Sequence, residues 1–458
     1  MNEIQSSSRR HFLKSAAFTG AGLTILPSGV LRGAQAPSNK LNIGLIGAWG
    51  RADQHWSFLK TQNIGAVCDV SEKHLGIGLK GLGNPKAATY KDWRVMLDKQ
   101  KDLDAVFVCS PDHTHAHIAT WALNRGLHIY LEKPIGNCVE ECRTVRDKWL
   151  STGKKVATQV GTQRHASDNF PRVAELIKDG AIGDLTDVFA FGDRTRQHST
   201  YPKGDGNKPA DLDQDLWCGP SPLHPYSDAY WTQLLKEKPV PGMNCLSWNQ
   251  FWDFGTGQVG DMGSHTMDLA WNALEADRVT SAKAHGEDVM SDVAPGEFSA
   301  TYTVPANDWR GEVRVSWWQG GLMPPSPIKW IDLAKVGHGA VFKGTKGFII
   351  ADFWRRIIHP NGKDPDFTYY KSRKAEDLTA PLGNFQQEWS NAAKGDLKTT
   401  CDFDYSGRMM EMMMLGLAAY RAGVAEKVDY DPEKGLTNND AVNRHLSKTY
   451  REGWPIDA

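Results

Sequence analysis

Asp261 and His265 stand four residues apart in the run Gly255-Thr256-Gly257-Gln258-Val259-Gly260-Asp261-Met262-Gly263-Ser264-His265-Thr266-Met267-Asp268. On an α-helix that spacing puts both side chains on one face, where both can point at the same substrate hydroxyl. An imidazole is matched to proton transfer near neutral pH. A second constellation lies far upstream. Gly47-Ala48-Trp49-Gly50-Arg51-Ala52 closes one apolar run, and Asp69, some 22 residues after Gly47, closes the next. The free N–H groups of such a turn, at the start of a helix, hold a pyrophosphate, and a carboxylate at the second strand end accepts from the adenosine ribose hydroxyls. The two sets together suit hydride transfer between a carbinol carbon and a dinucleotide.

These groups need a scaffold, and the chain predicts one. Residues 41–46 (LNIGLI) read as a strand, followed by the Gly-rich turn and a helix; residues 64–68 (IGAVC) read as a second strand. Residues 104–109 (DAVFVC) form a third, leading to Ser110-Pro111-Asp112-His113-Thr114-His115 and a helix from Ala116. A fourth, residues 127–131 (LHIYL), ends in Glu132-Lys133-Pro134. Ends of parallel strands face the ligand crevice, so Ser110, Asp112, His115, Glu132 and Lys133 join Gly47, Trp49, Gly50, Arg51 and Asp69 as cofactor-contacting candidates. Trp49 departs from the G-x-G-x-x-G fingerprint, in which the second glycine lets the backbone approach the phosphates. Either its indole turns away and helps cover the cofactor, or the turn has lost nucleotide binding. Arg51 could face a 2′-phosphate while Asp69 would repel one, which favours NAD over NADP.

A strand ending in Glu-Lys-Pro after a Pro-Asp-His-x-His turn resembles the Gfo/Idh/MocA family of dinucleotide-dependent oxidoreductases. The glycine-rich stretch before Asp261-x-x-x-His265 is similar to that family's second motif. The resemblance implies an N-terminal Rossmann domain over residues 38–160. It also implies a C-terminal α+β domain over residues 161–458, with a large open, mostly antiparallel sheet for substrate and oligomerisation. It places Gln163, just past the last strand of the first domain, near the nicotinamide or substrate. In an oxidation of this kind His265 is the base and Lys133 the cation that stabilises the developing alkoxide. Asp261 then orients His265 or holds a neighbouring hydroxyl. A homo-oligomer, dimer or tetramer, is expected.

Past residue 163 the composition turns to alternating strands such as residues 298–304 (FSATYTV) and 312–318 (EVRVSWW), as in a sheet with one covered face. Residues 340–351 read as a hairpin around Gly344-Thr345-Lys346-Gly347. The Met-rich helix at 405–423 reads as core or subunit interface. Seventeen tryptophans are many for one chain; Trp217, Trp231, Trp248 and Trp252 precede the Asp-x-x-x-His helix and divide between packing and sugar-ring contact. Arg194 and Arg196 read as solvated, with a carboxylated sugar as the other option. His113, His115 and His117 lack carboxylate support and read as capping and cofactor contacts, and no metal is expected. Asp268 reads as structural. The seven cysteines are scattered and read as buried thiols.

Net charge is -1, with 53 Lys+Arg against 54 Asp+Glu and no long basic block, so nucleic acid is not an expected partner. Ser8-Arg9-Arg10-His11-Phe12-Leu13-Lys14, followed by a moderately apolar run at 15–30 and Ala34-Gln35-Ala36, fits a twin-arginine signal peptide over residues 1–36. Its apolar run is too short for a membrane span, and none follows. Export by the twin-arginine translocase to the periplasm implies a tightly bound, co-exported NAD(P), because little free dinucleotide is found there. Three functions meet these conditions. One is an NAD(P)-dependent oxidoreductase acting on a hydroxyl of a sugar, glycoside or polyol. Another is a redox-neutral NAD-dependent glycosidase or lyase, working by oxidation, elimination, hydration and reduction. The third is a non-catalytic sugar-binding protein.

Overall fold

The computed structural model describes residues 39–196, 198–231, 245–366 and 373–457. The signal-like motifs at 8–14, 15–30 and 34–36 lie outside the described residues.

Six short strands, β1 (Asn42–Ile46), β2 (Asn63–Cys68), β3 (Ala88–Tyr90), β4 (Ala105–Val108), β5 (His128–Leu131) and β6 (Thr158–Val160), form a wholly parallel sheet in the order β3-β2-β1-β4-β5-β6. Their sequences are continuous apolar runs because both faces are covered. β4, Ala-Val-Phe-Val, is buried at every position. The order reverses between β1 and β4, where Leu45 pairs with Val67 on one side and Phe107 on the other. Such a reversal leaves a crevice at the carboxyl ends of the strands. After β1 the chain makes a 3-10 turn over Gly50–His55 and a single α turn, Trp56–Leu59, where the sequence predicts an ordinary helix.

The second sheet has nine strands: β7 (Leu185–Gly192), β8 (Ser281–Gly286), β9 (Phe298–Val304), β10 (Val313–Gln319), β11 (His338–Gly344), β12 (Gly347–Ala351), β13 (Arg356–Pro360), β14 (Val428–Asp431) and β15 (Leu436–Thr437). Their order is β13-β12-β11-β7-β10-β9-β8-β14-β15, antiparallel except between β7 and β10. The expected hairpin closes on Gly344 opposite Gly347. The fold is thus the expected one: a Rossmann-type parallel sheet and a second, mostly antiparallel sheet.

The Met-rich segment is the helix Phe403–Arg421, and Met409, Met410, Met412, Met413 and Met414 are all buried. It packs against the helix Val139–Ser151 of the first sheet and against β8 and β9 of the second, so one apolar cluster joins both sheets. A second cluster is closed by the helix Phe385–Ala393, whose Trp389 lies edge-on to Phe107 at 5.9 Å and to Tyr130 at 5.8 Å. Six of the cysteines are free and buried, as read from the sequence.

Candidate active site

A cavity of about 670 Å³ opens at the carboxyl ends of the parallel strands. Thirteen of the residues named from the sequence line it, Gly47, Trp49, Gly50, Arg51, Asp69, Ser110, Asp112, His115, Glu132, Lys133, Gln163, Asp261 and His265, whereas His113 and His117, read as capping and cofactor contacts, do not. The local chain explains how. At φ +84° Gly47 lets the turn close against the end of β4, and a Cβ there would lie 2.6 Å from the Cys109 carbonyl carbon. Asp69 braces the turn from the end of β2, accepting from the Ala48 N–H at 2.9 Å and the Ser71 N–H at 3.0 Å. The His74 ring stands 3.3 Å from its Oδ1, and as a carboxylate Asp69 has further acceptor capacity. The Trp49 indole turns to His74 on the next helix, ring centres 5.0 Å apart, and Trp49 lines the cavity. These residues fit a dinucleotide.

Glu132 ends β5 as a buried carboxylate. Its Oε1 meets Arg51 Nε at 3.0 Å, His55 Nε2 at 2.8 Å and Gln163 Nε2 at 2.6 Å. Burial alone would raise its pKa, but the Arg51 guanidinium and the His55 ring hold it well below the usual carboxylate range. Gly161 makes the room, because a Cβ there would lie 2.8 Å from the Glu132 carboxyl atoms. Arg51 is therefore spent on Glu132 and Gln54, not poised alone for a 2′-phosphate. His55 and its partner Gln386, whose Nε2 lies 3.0 Å from His55 Nδ1, carried no signal in the sequence. Buried His115 sits between the Pro134 and Ser110 carbonyl oxygens at 2.7 and 2.8 Å. Burial holds this ring below its ordinary pKa, so when neutral it donates to one of them at a time.

The groups read as catalytic from the sequence, Lys133, Asp261 and His265, all line this cavity. Lys133 Nζ donates to Asp261 Oδ1 at 2.6 Å, and Arg194 Nη1 donates to Asp261 Oδ2 at 2.5 Å. Burial would raise the Asp261 pKa; the two cations keep it below the ordinary value. The expected use of Asp261 to orient His265 is not what the structure has. Residues Val259–Gly263 wind as a π-turn before the α-helix Ser264–Leu274, so a spacing of four no longer has its α-helical meaning, and both Asp261 oxygens go to the cations. His265 lines the cavity with no hydrogen bond to Nδ1 among the described residues. Burial and the Lys133 charge push its pKa down to about 3, so the ring is neutral at ordinary pH. Burial pushes the nearby Asp112 carboxyl up to about 7, against the pull of Lys133.

Three of the four tryptophans singled out in the sequence, Trp217, Trp231 and Trp248, line the cavity while packed in an aromatic cluster. Trp252 faces away, with the Arg421 guanidinium 4.9 Å from its ring centre. Arg194, read as solvated, belongs to the site, whereas Arg196 pairs with Glu287 at 3.0 Å. At the rim stands Trp354, 63% exposed, beneath Arg164. Nothing in the sequence marked it. His113 bonds the Trp217 carbonyl at 2.8 Å and His117 packs edge-on to Tyr450. The ligand atoms of His165, Asp268 and Cys401 lie within 4.8 Å of one another in the interior. Their contacts are those of a hydrogen-bond network, with His165 Nδ1 3.0 Å from Asp268 and Tyr405 donating to Asp268 at 2.6 Å.

Residues 41–160 match the sequence profile of an oxidoreductase family with an NAD-binding Rossmann fold. The chain is 28% identical over 149 residues to inositol 2-dehydrogenase of Klebsiella pneumoniae subsp. pneumoniae, a match covering 31% of this chain and 43% of that protein. It is 27% identical over 207 residues to a glycosyl hydrolase family 109 protein of Solibacter usitatus, covering 40% and 45%. The chain thus spans less than half the length of these relatives. Among solved structures, the WlbA dehydrogenase from Bordetella pertussis in complex with NADH and UDP-GlcNAcA superposes at TM-score 0.58 with 16% identity, over 86% of this chain and 99% of that one. Levoglucosan dehydrogenase in complex with NADH and levoglucosan superposes at 0.54 with 16% identity, over 85% and 99%. At such identities the two structures speak for the fold.

Proposed function

We propose, for a chain that belongs to the Gfo/Idh/MocA oxidoreductase family and carries its NAD-binding Rossmann domain at residues 41–160, an oxidation of a hydroxyl of a sugar, glycoside or polyol with NAD held tightly. The observation behind it is the meeting of Lys133, Asp261, Arg194 and neutral His265 in one cavity with the Gly47 turn and Asp69. Gly47, Trp49, Gly50 and Asp69 would hold the dinucleotide's phosphates and adenosine ribose; Ser110, Asp112, His115 and Gln163 line the way to its reactive end. The dinucleotide, when bound, supplies the hydride acceptor. Neutral His265 takes the hydroxyl proton, and the Lys133 ammonium stabilises the oxygen as it gains charge. Asp261 fixes that ammonium in place, and buried Trp217, Trp231 and Trp248 exclude water and give a sugar ring apolar faces. With Arg51 engaged by Glu132, the balance favours NAD over NADP.

A redox-neutral glycosidase is the second reading, favoured by Asp112. Elimination and rehydration need a further acid or base, and a carboxyl with a pKa of about 7 in the same cavity can be either. The test is to purify the protein without added nucleotide, denature it and identify released dinucleotide by mass spectrometry. About one NAD(H) per chain is expected; a protein that is empty and refuses added NAD overturns both readings in favour of a sugar-binding protein. Sugars and aryl glycosides then separate the two readings, by net reduction of the cofactor in one case and cleavage without it in the other.

A further inference from the structure

Two guanidiniums with donors to spare line the cavity. Arg194 gives one nitrogen to Asp261, and the rest of its side chain, 40% exposed, stays open. Arg164, the residue after Gln163, is exposed and makes no hydrogen bond or ion pair through its side chain among the described residues. What holds it is aromatic: its guanidinium carbon lies 5.2 Å from the Phe353 ring centre and 5.5 Å from that of Trp354. Those rings belong to a turn fixed by Asp352, which accepts from the Trp354 N–H at 2.7 Å and the Arg355 N–H at 2.5 Å. Both arginines bear on one neighbour, His338 at the start of β11. Burial, then Arg194 and Arg164, hold its ring below the ordinary pKa against the pull of Asp261 and Asp193.

The charges around the reacting groups do not cancel. Lys133, Arg164 and Arg194 bring three positive charges, and Asp261 returns one. Glu132 is matched by Arg51. Asp112 is buried and pushed up to about 7, so it is only partly ionised at neutral pH. Neutral His265 offsets nothing. The nicotinamide of oxidised NAD is itself positive and would add to the excess. A cavity with unmatched charge of one sign favours a ligand of the other, and its open donors select the kind. A planar guanidinium grips a planar carboxylate through two parallel N–H···O bonds. Beside it Trp354, exposed at the rim, offers a sugar ring a flat apolar face.

We propose that the substrate is an acidic sugar, a hexuronate, its carboxylate held by Arg164 and the open nitrogens of Arg194, its ring on Trp354 and the reacting hydroxyl at Lys133 and His265. The assignment rests on the oxidoreductase reading above and names the substrate class for that same site. The carboxylate is a handle and not a reacting group, so the oxidation at the hydroxyl is unchanged. Arg164 is then a residue that sets specificity.

The test uses the NAD-loaded protein with D-glucuronate, D-galacturonate and D-mannuronate, each against its uncharged uronamide and its parent hexose, and with glucose 6-phosphate. Cofactor reduction is followed by absorbance and sugar binding by tryptophan fluorescence. At least one hexuronate should exceed its uronamide by about ten-fold or more in kcat/KM, as a charge-assisted pair implies. Arg164→Gln should collapse that ratio towards one, and Arg164→Glu should invert it. Melting temperature and bound NAD report whether each variant is folded. Hexuronates oxidised no better than their uronamides overturn the carboxylate assignment and leave the oxidoreductase reading standing. A hexuronate preference that survives both variants places the carboxylate elsewhere and overturns it too. Glucose 6-phosphate outpacing every hexuronate overturns it in favour of a phosphate. Neither reduction nor a fluorescence response with any sugar overturns both readings.

Discussion

Asp261 carries one negative charge and meets two positive ones, and this decides what variants at the site report. In Lys133→Met the carboxylate keeps Arg194 at 2.5 Å, so the buried charge is not abandoned and the protein should still fold and bind NAD. Sugar oxidation should fall by about 10²–10³, the usual cost of losing a group aimed at developing charge, as read from kcat at saturating sugar. His265→Ala should fall by about 10²–10⁴ with its Tm little changed, because among the described residues the ring makes no hydrogen bond through Nδ1 whose loss would be felt. A His265→Ala protein with wild-type turnover would exclude it as the base. Motif context makes these groups legible in the sequence: Glu-Lys-Pro at a strand end and the glycines before Asp-x-x-x-His resemble the family's two motifs. The pairing is not legible there. Asp261 at i−4 of His265 suggests a dyad, and only the π-turn, which has no sequence signature as plain as a helical period, sends its carboxylate to Lys133 and Arg194. Arg194 looks like any arginine after a strand, and His55 and Glu132 meet across 77 residues, a separation no local pattern encodes.

Among the elements, the helix Phe385–Ala393 ties a late stretch of the chain to the first sheet. Trp389 is fully buried against Phe107 and Tyr130, which are themselves stacked at 4.1 Å, and Gln386 reaches His55 beside Glu132. Trp389→Ala should lower stability by about 3–5 kcal/mol, the range for deleting a buried aromatic ring, measured by urea unfolding. Because the cavity wall behind Glu132 leans on this helix, the variant should also bind NAD more weakly; unchanged affinity would show that the wall stands without it. Parallel strands announce themselves as continuous apolar runs, and the antiparallel ones by alternation, as at 298–304, whose bounds the structure reproduces although Ser299 is buried out of step. The return of residues 385–393 to the first sheet gives no such notice. An amphipathic helix shows that it has a buried face without showing which sheet buries it.

For the molecule as a whole, acidity and address are the properties to test. His113, His117 and His265 are buried, and burial holds them down to about 3, 4 and 3. Once unfolded, the same rings take up protons near their ordinary value of about 6.5. The unfolded chain therefore gains protons first as pH falls, and stability should be lost from about pH 6.5 downward, levelling only near the folded values. His117→Phe, at a ring packed edge-on to Tyr450 at 4.6 Å, should reduce the stability lost between pH 7 and pH 5 by about 2 kcal/mol, read from urea midpoints. Export through the twin-arginine route is our proposal from residues 8–36. Arg9→Lys with Arg10→Lys should leave full-length, NAD-loaded protein in the cytoplasm; secretion undiminished in that variant would discard the route. One more consequence follows from the helix that caps Phe107 and Tyr130. Ribosomes deliver those two rings long before they deliver Trp389, so the nucleotide-binding half emerges with an aromatic face still wet and stays unfinished until nearly the whole polypeptide has been made. Synthesis runs from one end to the other, yet the first sheet waits for a helix made after most strands of the second.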